Sequence, residues 1–181
     1  MKIATKRLII RDIKMKDAKS IAENANNREV WYFTEHIPYP YKLKDAKEFI
    51  KRQIKNSKEK PRKSYEFGIE LKPEKQVIGL IGLFDISREH KKGGIGYWLG
   101  KRYRNQGIVS EAEKAVLGFA FNKLKLNKVH GDAMISNKAS NRLFKKFGFR
   151  KVGILKEELI KKGKKLDGFR WELLKKNYKS K

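Results

Sequence analysis

The sequence predicts a mixed α/β (α+β) fold, one layer of sheet with helices on its faces. Three observations carry this. Residues 65–71 alternate, with Tyr65, Phe67, Ile69 and Leu71 on one face and Glu66, Gly68 and Glu70 on the other. Residues 76–84 form a short run apolar enough to be buried on both faces of a sheet. Residues 108–124 place Ala112, Val116, Phe119, Ala120 and Leu124 on one helical stripe.

The remaining elements follow in order. Residues 1–12 read as a first strand around Leu8, Ile9 and Ile10, without the apolar core of a signal peptide. Residues 16–25 form a short helix, with Ala18, Ile21, Ala22 and Ala25 at helical spacing. Trp31, Tyr32 and Phe33 lead into a turn at Pro38 and Pro40. A second helix covers residues 43–56, and residues 56–63 are a polar connector. After the strand at 65–71, the Lys72-Pro73-Glu74-Lys75 turn leads to the strand at 76–84. Residues 94–99 and 128–135 are strands, 137–147 a helix, and 149–155 and 169–174 the last two strands. The 181 residues suffice for one domain spanning 1–181, with a core that needs no disulfide or metal.

Composition narrows the function classes. Cysteine is absent, which excludes disulfides, thiolate zinc sites and cysteine nucleophiles and fits a cytoplasmic protein. His36, His90 and His130 fit no metal spacing, so no metal site is expected. No apolar run approaches the roughly 18 residues of a membrane span. Lys and Arg total 46 against 20 Asp and Glu, a net charge of +26. Such a field attracts nucleic acid, ribosomes and phosphate-bearing ligands. The basic residues are spread, from Lys58, Lys60, Arg62 and Lys63 to Lys161, Lys162, Lys164 and Lys165, as on a generally basic surface rather than a groove reader.

The chemistry concentrates between residues 96 and 112. A strand ends, Lys101, Arg102 and Arg104 follow, and Gly107 opens the strongest helix. A helix N-terminus offers unpaired N–H groups and positive potential, and glycine lets a ligand approach the backbone. The segment reads as a pyrophosphate cradle or as an ordinary glycine turn; it lacks the P-loop and dinucleotide glycine spacings.

Arg104-x-x-Gly107-x-Val109 resembles the acyl-coenzyme A signature of the GNAT acetyltransferases. The preceding I-G-Y-W-L and the run from Gly107 to Ala112 resemble more narrowly the RimJ/RimL-type N-terminal acetyltransferases. Asn137-Lys138-Ala139-Ser140-Asn141, followed by Phe147-Gly148-Phe149, resembles a second family motif, and the element order matches over nearly the whole chain. Two positions depart from the pattern. Val109 replaces the usual Gly or Ala, and Gly94 stands where many relatives carry a glutamate, a familiar candidate for the general base.

The resemblance implies a GNAT-type, mostly antiparallel sheet and direct acetyl transfer from acetyl-CoA to a primary amine. It implies that Trp98, Leu99 and Gly100 hold the pantetheine. Arg104, Asn105, Gln106, Gly107, Ile108 and Val109, flanked by Arg102 and Ser110, would hold the pyrophosphate. Ser140 would protonate the leaving thiolate, since Phe144 occupies the position of the tyrosine used elsewhere in the family. Asn137 is a helix N-cap alone, or a cap that also contacts cofactor or substrate, with Asn141 beside it. For the base, Glu66, Glu70 and Asp85 are candidates, and Glu66 is chosen. Glu111, in a first helical turn, reads as structural. Trp31 reads as core rather than pocket wall, and His130 as packed.

The implied acceptor is a protein N-terminal α-amine of ribosomal-protein type, with ribosome association favoured by the charge. A small amine such as a polyamine or aminoglycoside is the second reading, and it requires a locally acidic cleft. Glu157 and Glu158 are the densest acidic pair, but they lie among lysines. A basic RNA-binding module on an inactive fold is the rival from another class. The chain is expected to be a monomer or homodimer.

Overall fold

In the computed structural model, which describes residues 1–179, the strands are β1 (Lys2–Ala4), β2 (Leu8–Asp12), β3 (Tyr65–Leu71), β4 (Gln76–Ser87), β5 (Lys92–Leu99), β6 (Lys128–Met134), β7 (Arg150–Lys161) and β8 (Lys164–Leu174). They form one sheet in the order β1-β2-β3-β4-β5-β6-β8-β7. Every neighbouring pair is antiparallel except β5 and β6. The helices are α1 (Ala18–Ala25), α2 (Arg28–Phe33), α3 (Leu43–Asn56), α4 (Ile108–Gly118) and α5 (Lys138–Lys146). This is the mixed sheet with helices on both faces that the patterns predict.

The alternation within strands creates two cores. On one face Leu8, Ile10, Phe67, Ile69, Ile81 and Ile95 pack against Ile108, Ala112 and Val116 of α4 and Phe144 of α5. On the other, Val77, Leu80 and Trp98 pack against Ile21 and Ala22 of α1 and Ala46 and Ile50 of α3. Strand β4 serves both, which is why residues 77 through 83 are all buried.

Four expectations change in detail. Residues 1–12 are a hairpin, β1 and β2, rather than one strand. Glu111 holds its turn, accepting from Thr5 Oγ1 at 2.6 Å, Arg7 N at 2.8 Å and Arg7 Nε at 2.7 Å. Burial raises the Glu111 pKa, but Thr5 and Arg7 outweigh it and leave the group below its ordinary value. Residues 28–33 are a helix too short to show a period; the Asn27 side chain caps it, accepting from the N–H groups of Glu29 and Val30. Helix α4 stops at Gly118 and continues as a π-helical turn, Phe119–Lys123. Finally, β7 and β8 run well beyond the strands expected at 149–155 and 169–174, meeting at Lys161 and Lys164. Lys162 and Gly163, both at positive φ, close that hairpin in the manner of a two-residue turn.

A buried ion network ties the first helical segment to the sheet. Arg11 Nη1 and Nη2 donate to the two Asp17 oxygens at 2.8 Å each, and Arg11 Nε donates to Glu70 at 2.6 Å. Burial pushes the Asp17 carboxyl up, yet Arg11 and the Lys14 N–H outweigh it and hold it below its ordinary value. Removing one partner leaves a buried guanidinium short of charge, at a cost of roughly 3 kcal/mol. Asp17→Ala should therefore lower stability by about that amount near neutral pH, as read by urea unfolding. Because the folded pKa is depressed, this contribution is present above the unfolded value of 3.8 and is lost as pH falls through the folded one. The deficit of Asp17→Ala relative to wild type should accordingly shrink in strong acid.

Candidate active site

The site forms where the only parallel pair among the described residues separates. Strands β5 and β6 are in register at Lys92↔Lys128, Gly93↔Val129 and Gly94↔His130, and then part. Beyond that point β5 stays paired with β4 as far as Leu99, and β6 with β8 as far as Met134. On its other edge, β5 from Ile95 to Leu99 has no strand partner, so alternate backbone groups there face open space. The gap is a cavity of about 520 Å³ that passes between the strands. Its walls come from α2 and residues 34–35, from β5, from the 103–110 segment, from β6, and from the first turns of α5.

One end of the cavity suits phosphate. Gly107 is left-handed at φ +71° and Asn105 at φ +61°, and α4 starts directly after Gly107. The first helical bond runs from Glu111 N–H to the Gly107 carbonyl at 3.1 Å. The N–H groups of Ile108, Val109 and Ser110 thus lie in the turn that has no intrahelical acceptor. Alternating backbone hand and a free helix start together make an anion-binding concavity.

The motif residues separate into two sets. Trp98, Leu99, Arg104, Asn105, Gly107, Ile108, Val109, Ser110, Asn137 and Ser140 all line the cavity. The Trp98 side chain packs in the α1/α3 core, so its backbone is what faces the gap. Arg104 is engaged by protein groups: its guanidinium donates to the Leu99 carbonyl at 3.2 Å and pairs with Glu29 of α2. It braces the end of β5 against α2.

Five predicted residues lie elsewhere. Gly100 faces α1, where a Cβ would meet Asn24 Oδ1 at 2.0 Å. Arg102 is drawn to Glu74 and the Tyr103 hydroxyl at the β3–β4 turn. Gln106 points back to the Arg102 carbonyl, 2.9 Å away. Asn141 is engaged within the protein, donating to the carbonyls of Met134 and Asn137 and accepting from Trp171 Nε1. Glu66 is the clearest correction: it lines a separate, nearly closed pocket with Asp12, Gln53 and Arg62, near α3. Burial pushes its pKa up to about 7, and it does not line the cavity that holds Ser140. Trp31 is outside the cavity too; its neighbour Phe33 lines it. His130 is half-buried, edge-on to Phe84 at 6.1 Å between centroids, and burial lowers its pKa.

At α5, the Asn137 side chain caps the helix by accepting from Ser140 N–H at 3.2 Å. The Asn137 amide nitrogen has no protein partner among the described residues. Ser140 Oγ accepts from the Tyr97 hydroxyl at 3.0 Å. Phe144 closes the cavity floor, its ring seated over Gly131, where a Cβ would meet Phe144 Cζ at 2.5 Å.

The opposite end of the cavity carries carboxylates that the sequence reading missed. Glu35 and Asp132 line it there, while Glu29 lines the cavity beside Arg104. Asp132 is held by Arg170, with Nη2 to Oδ2 at 2.9 Å. Strand β7 brings exposed Glu158 near Asp132 and Glu35, outside the cavity lining, through a bulge. Between the pairs Leu155↔Gly168 and Leu159↔Leu166, β7 has three residues where β8 has one. Asp167 pins this bulge, accepting from Lys156 Nζ at 2.7 Å and Glu157 N–H at 3.0 Å. Bulges of this kind re-aim side chains. Desolvation, then the charge of Asp132, raise the Glu158 pKa; Arg170 opposes them, and Glu35 adds a smaller upward push. Lys161 spans this end, donating to the Thr34 carbonyl at 2.7 Å and sitting 5.1 Å above the Trp31 ring. The acidic Glu157-Glu158 pair was visible in the sequence; the bulge that sets exposed Glu158 near Asp132 and Glu35, outside the cavity lining, was not. Among the described residues no cluster could hold a metal ion, and no helix is long and apolar enough to cross a membrane.

Comparison with known proteins matches this fold. A family model described as an acetyltransferase (GNAT) domain matches residues 7–150. The chain is 30% identical over 167 residues to the uncharacterized N-acetyltransferase YoaA of Bacillus subtilis, covering 91% of this chain and 92% of that protein. Its fold superposes on the ribosomal-protein-S5-alanine acetyltransferase of Vibrio fischeri with a TM-score of 0.86, at 21% identity over 99% of each chain. It also superposes on the spermidine N-acetyltransferase of Vibrio cholerae, solved with CoA and spermine, with a TM-score of 0.81 at 22% identity, covering 96% of this chain and 99% of that one. At those identities the two structures establish the fold. The alternative of an RNA-binding module on an inactive fold gives way to the enzyme reading, because the chain's relatives are N-acetyltransferases along nearly its full length. The chain belongs to the GNAT acetyltransferase family and is an acetyl-CoA-dependent N-acetyltransferase.

Proposed function

We propose that the enzyme acetylates protein N-terminal α-amines in the cytoplasm, with an acceptor of ribosomal-protein type. The observation that carries this reading is the number of cavity carboxylates that no arginine or lysine pairs. Glu29 is paired with Arg104 and Asp132 with Arg170. Glu35, 3.5 Å from His36 Nε2, and Glu158 remain, beside Lys161 and Arg170. That balance accommodates one ammonium. A polyamine brings several positive charges into a chain already at +26.

Proton chemistry agrees. An α-amine has a pKa near 7.7–8.0, against about 10.4 for lysine. At neutral pH, deprotonating a lysine costs about 4 kcal/mol and an α-amine well under 1. A carboxylate with a raised pKa, relaying through water, suffices for the α-amine. Glu158 takes that role here, replacing Glu66. The backbone of residues 95–99 holds the pantetheine amides, and the N–H groups of Ile108, Val109 and Ser110 hold the pyrophosphate. Ser140 delivers a proton to the departing sulfur. The basic surface favours an acceptor presented on an anionic assembly such as the ribosome. Free ribosomal proteins, being mostly basic themselves, would be repelled.

Three outcomes are expected. With acetyl-CoA saturating, peptides with free N-termini should turn over faster than N-blocked lysine peptides and faster than spermidine; preferential turnover of spermidine would replace the reading with the polyamine one. Glu158→Gln should lower kcat/KM for the peptide about 100-fold and remove the acid limb of its pH profile. That limb reports loss of the unprotonated base as pH falls through the raised Glu158 pKa. Gly107→Glu should abolish acetyl-CoA binding in calorimetry at about 0.3 M salt, where long-range charge effects are screened. Unchanged affinity would remove the cradle assignment.

A further inference from the structure

One buried group has no place in the chemistry above. Glu113 lies on the sheet side of α4 with 0% exposure, and neither carboxyl oxygen has a hydrogen-bond partner. Orphaned buried polar groups are rare in folded proteins, and a charged one is strongly disfavoured. The titratable group that feels Glu113 is Tyr97 of β5. Tyr97 lines the cavity, and its hydroxyl donates to Ser140 Oγ at 3.0 Å.

We propose that Tyr97 is a positioning residue for the proton donor, and that Glu113 is kept as a neutral acid behind it so that the Tyr97 hydroxyl stays directed at Ser140. The inference rests on the reading of Ser140 as the donor. A hydroxyl that accepts from Tyr97 must direct its own proton elsewhere. Ser140 Oγ has no protein acceptor among the described residues, so its proton is free to point into the cavity. As the thioester C–S bond breaks, the sulfur takes the Ser140 proton. Ser140 Oγ takes the Tyr97 proton in the same motion, and solvent entering the open cleft returns one proton after release. The net transfer is one proton to one thiolate.

Glu113 controls the direction of the Tyr97 hydroxyl. As a neutral acid it is a weak acceptor and leaves that hydroxyl to Ser140. As a carboxylate it adds an unsolvated negative charge beside Tyr97, which competes for the phenolic proton and raises the Tyr97 pKa. Burial alone pushes the Glu113 pKa up to about 8. No charged residue of β2, β3, β4 or α5 enters its balance; Tyr97 from β5 is the titratable neighbour it acts on, and Ser140 of α5 faces Tyr97 from the other side. The neutral form therefore prevails through the neutral range and is lost above it.

The test is the pH dependence of kcat for wild type, Tyr97→Phe, Glu113→Gln and Ser140→Ala, each with and without the second change. Tyr97→Phe should lower kcat about tenfold with the KM for acetyl-CoA within about twofold, the size of one lost orienting hydrogen bond. Between about pH 7 and pH 9, wild-type kcat should fall roughly fivefold to tenfold, as expected for a group titrating near 8. The same ratio should stay near one in Glu113→Gln, whose amide keeps the shape of the neutral acid. In a Ser140→Ala background, Tyr97→Phe should have no further effect. An equal loss in both backgrounds, or the same alkaline fall in Glu113→Gln as in wild type, would overturn the proposal. An unchanged kcat in Ser140→Ala alone would instead overturn the donor reading beneath it, and that outcome is read without touching Tyr97 or Glu113.

Discussion

Everything functional in this molecule depends on two parallel strands that do not stay together. Strands β5 and β6 are each already committed to an antiparallel neighbour, β4 on one side and β8 on the other. Past Gly94 and His130 the two halves of the sheet follow those partners and diverge. Phe144 prevents the gap from closing. Its ring rests on Gly131, whose missing side chain leaves the space, and the Ile95 carbonyl lies 3.1 Å from where a Cβ would be. The carboxyl ends of both strands then lead into the starts of α4 and α5. Open α/β sheets place ligands at such a crevice because helix N-termini and unpaired strand backbone converge there. Here the same crevice supplies an anion cradle from α4, a capped serine from α5 and free backbone along β5.

The electrostatics divide along the same gap. The chain as a whole is strongly basic, and the α4 end of the cavity adds helix-start N–H groups to that field. The opposite end reverses sign locally, with Glu35, Asp132 and Glu158 brought together from three separate elements. Lys161 holds two of those elements in place by tying β7 to the Thr34 carbonyl. In the proposed function, an anionic cosubstrate and a cationic acceptor would meet opposite potentials within one cavity, which would orient both before any bond changes.

The sequence made the architecture readable because its strongest signals are local. Alternation in 65–71, the continuous run in 76–84 and the stripe in 108–124 each survive into the folded chain. The glycine turn before α4 was readable for the same reason: Gly107 and the helix start are adjacent in sequence. What escaped depends on long-range geometry. Glu66 shares a strand with buried residues, and only the sheet's topology shows that it faces a pocket beside α3. Glu158 looked like one charge among many until the Asp167-pinned bulge set it near Asp132 and Glu35. The β7–β8 extension was hidden by lysines in strand positions, which read as a loop although Lys162 and Gly163 close a tight turn. Asn141, adjacent to the motif serine, proved to brace Trp171 and the end of β6. Motif spacing identifies which segment carries chemistry; the fold decides which of its side chains face inward.

Amide hydrogen exchange on addition of acetyl-CoA addresses the parting of the strands most directly. The backbone of residues 95–99 and the N–H groups of Ile108, Val109 and Ser110 should become protected, while the β7–β8 hairpin tip stays unchanged. Protection confined to the lysine-rich surface of α3 or to that hairpin, with residues 95–99 and 108–110 unaffected, would contradict the placement of the cosubstrate in the gap between β5 and β6.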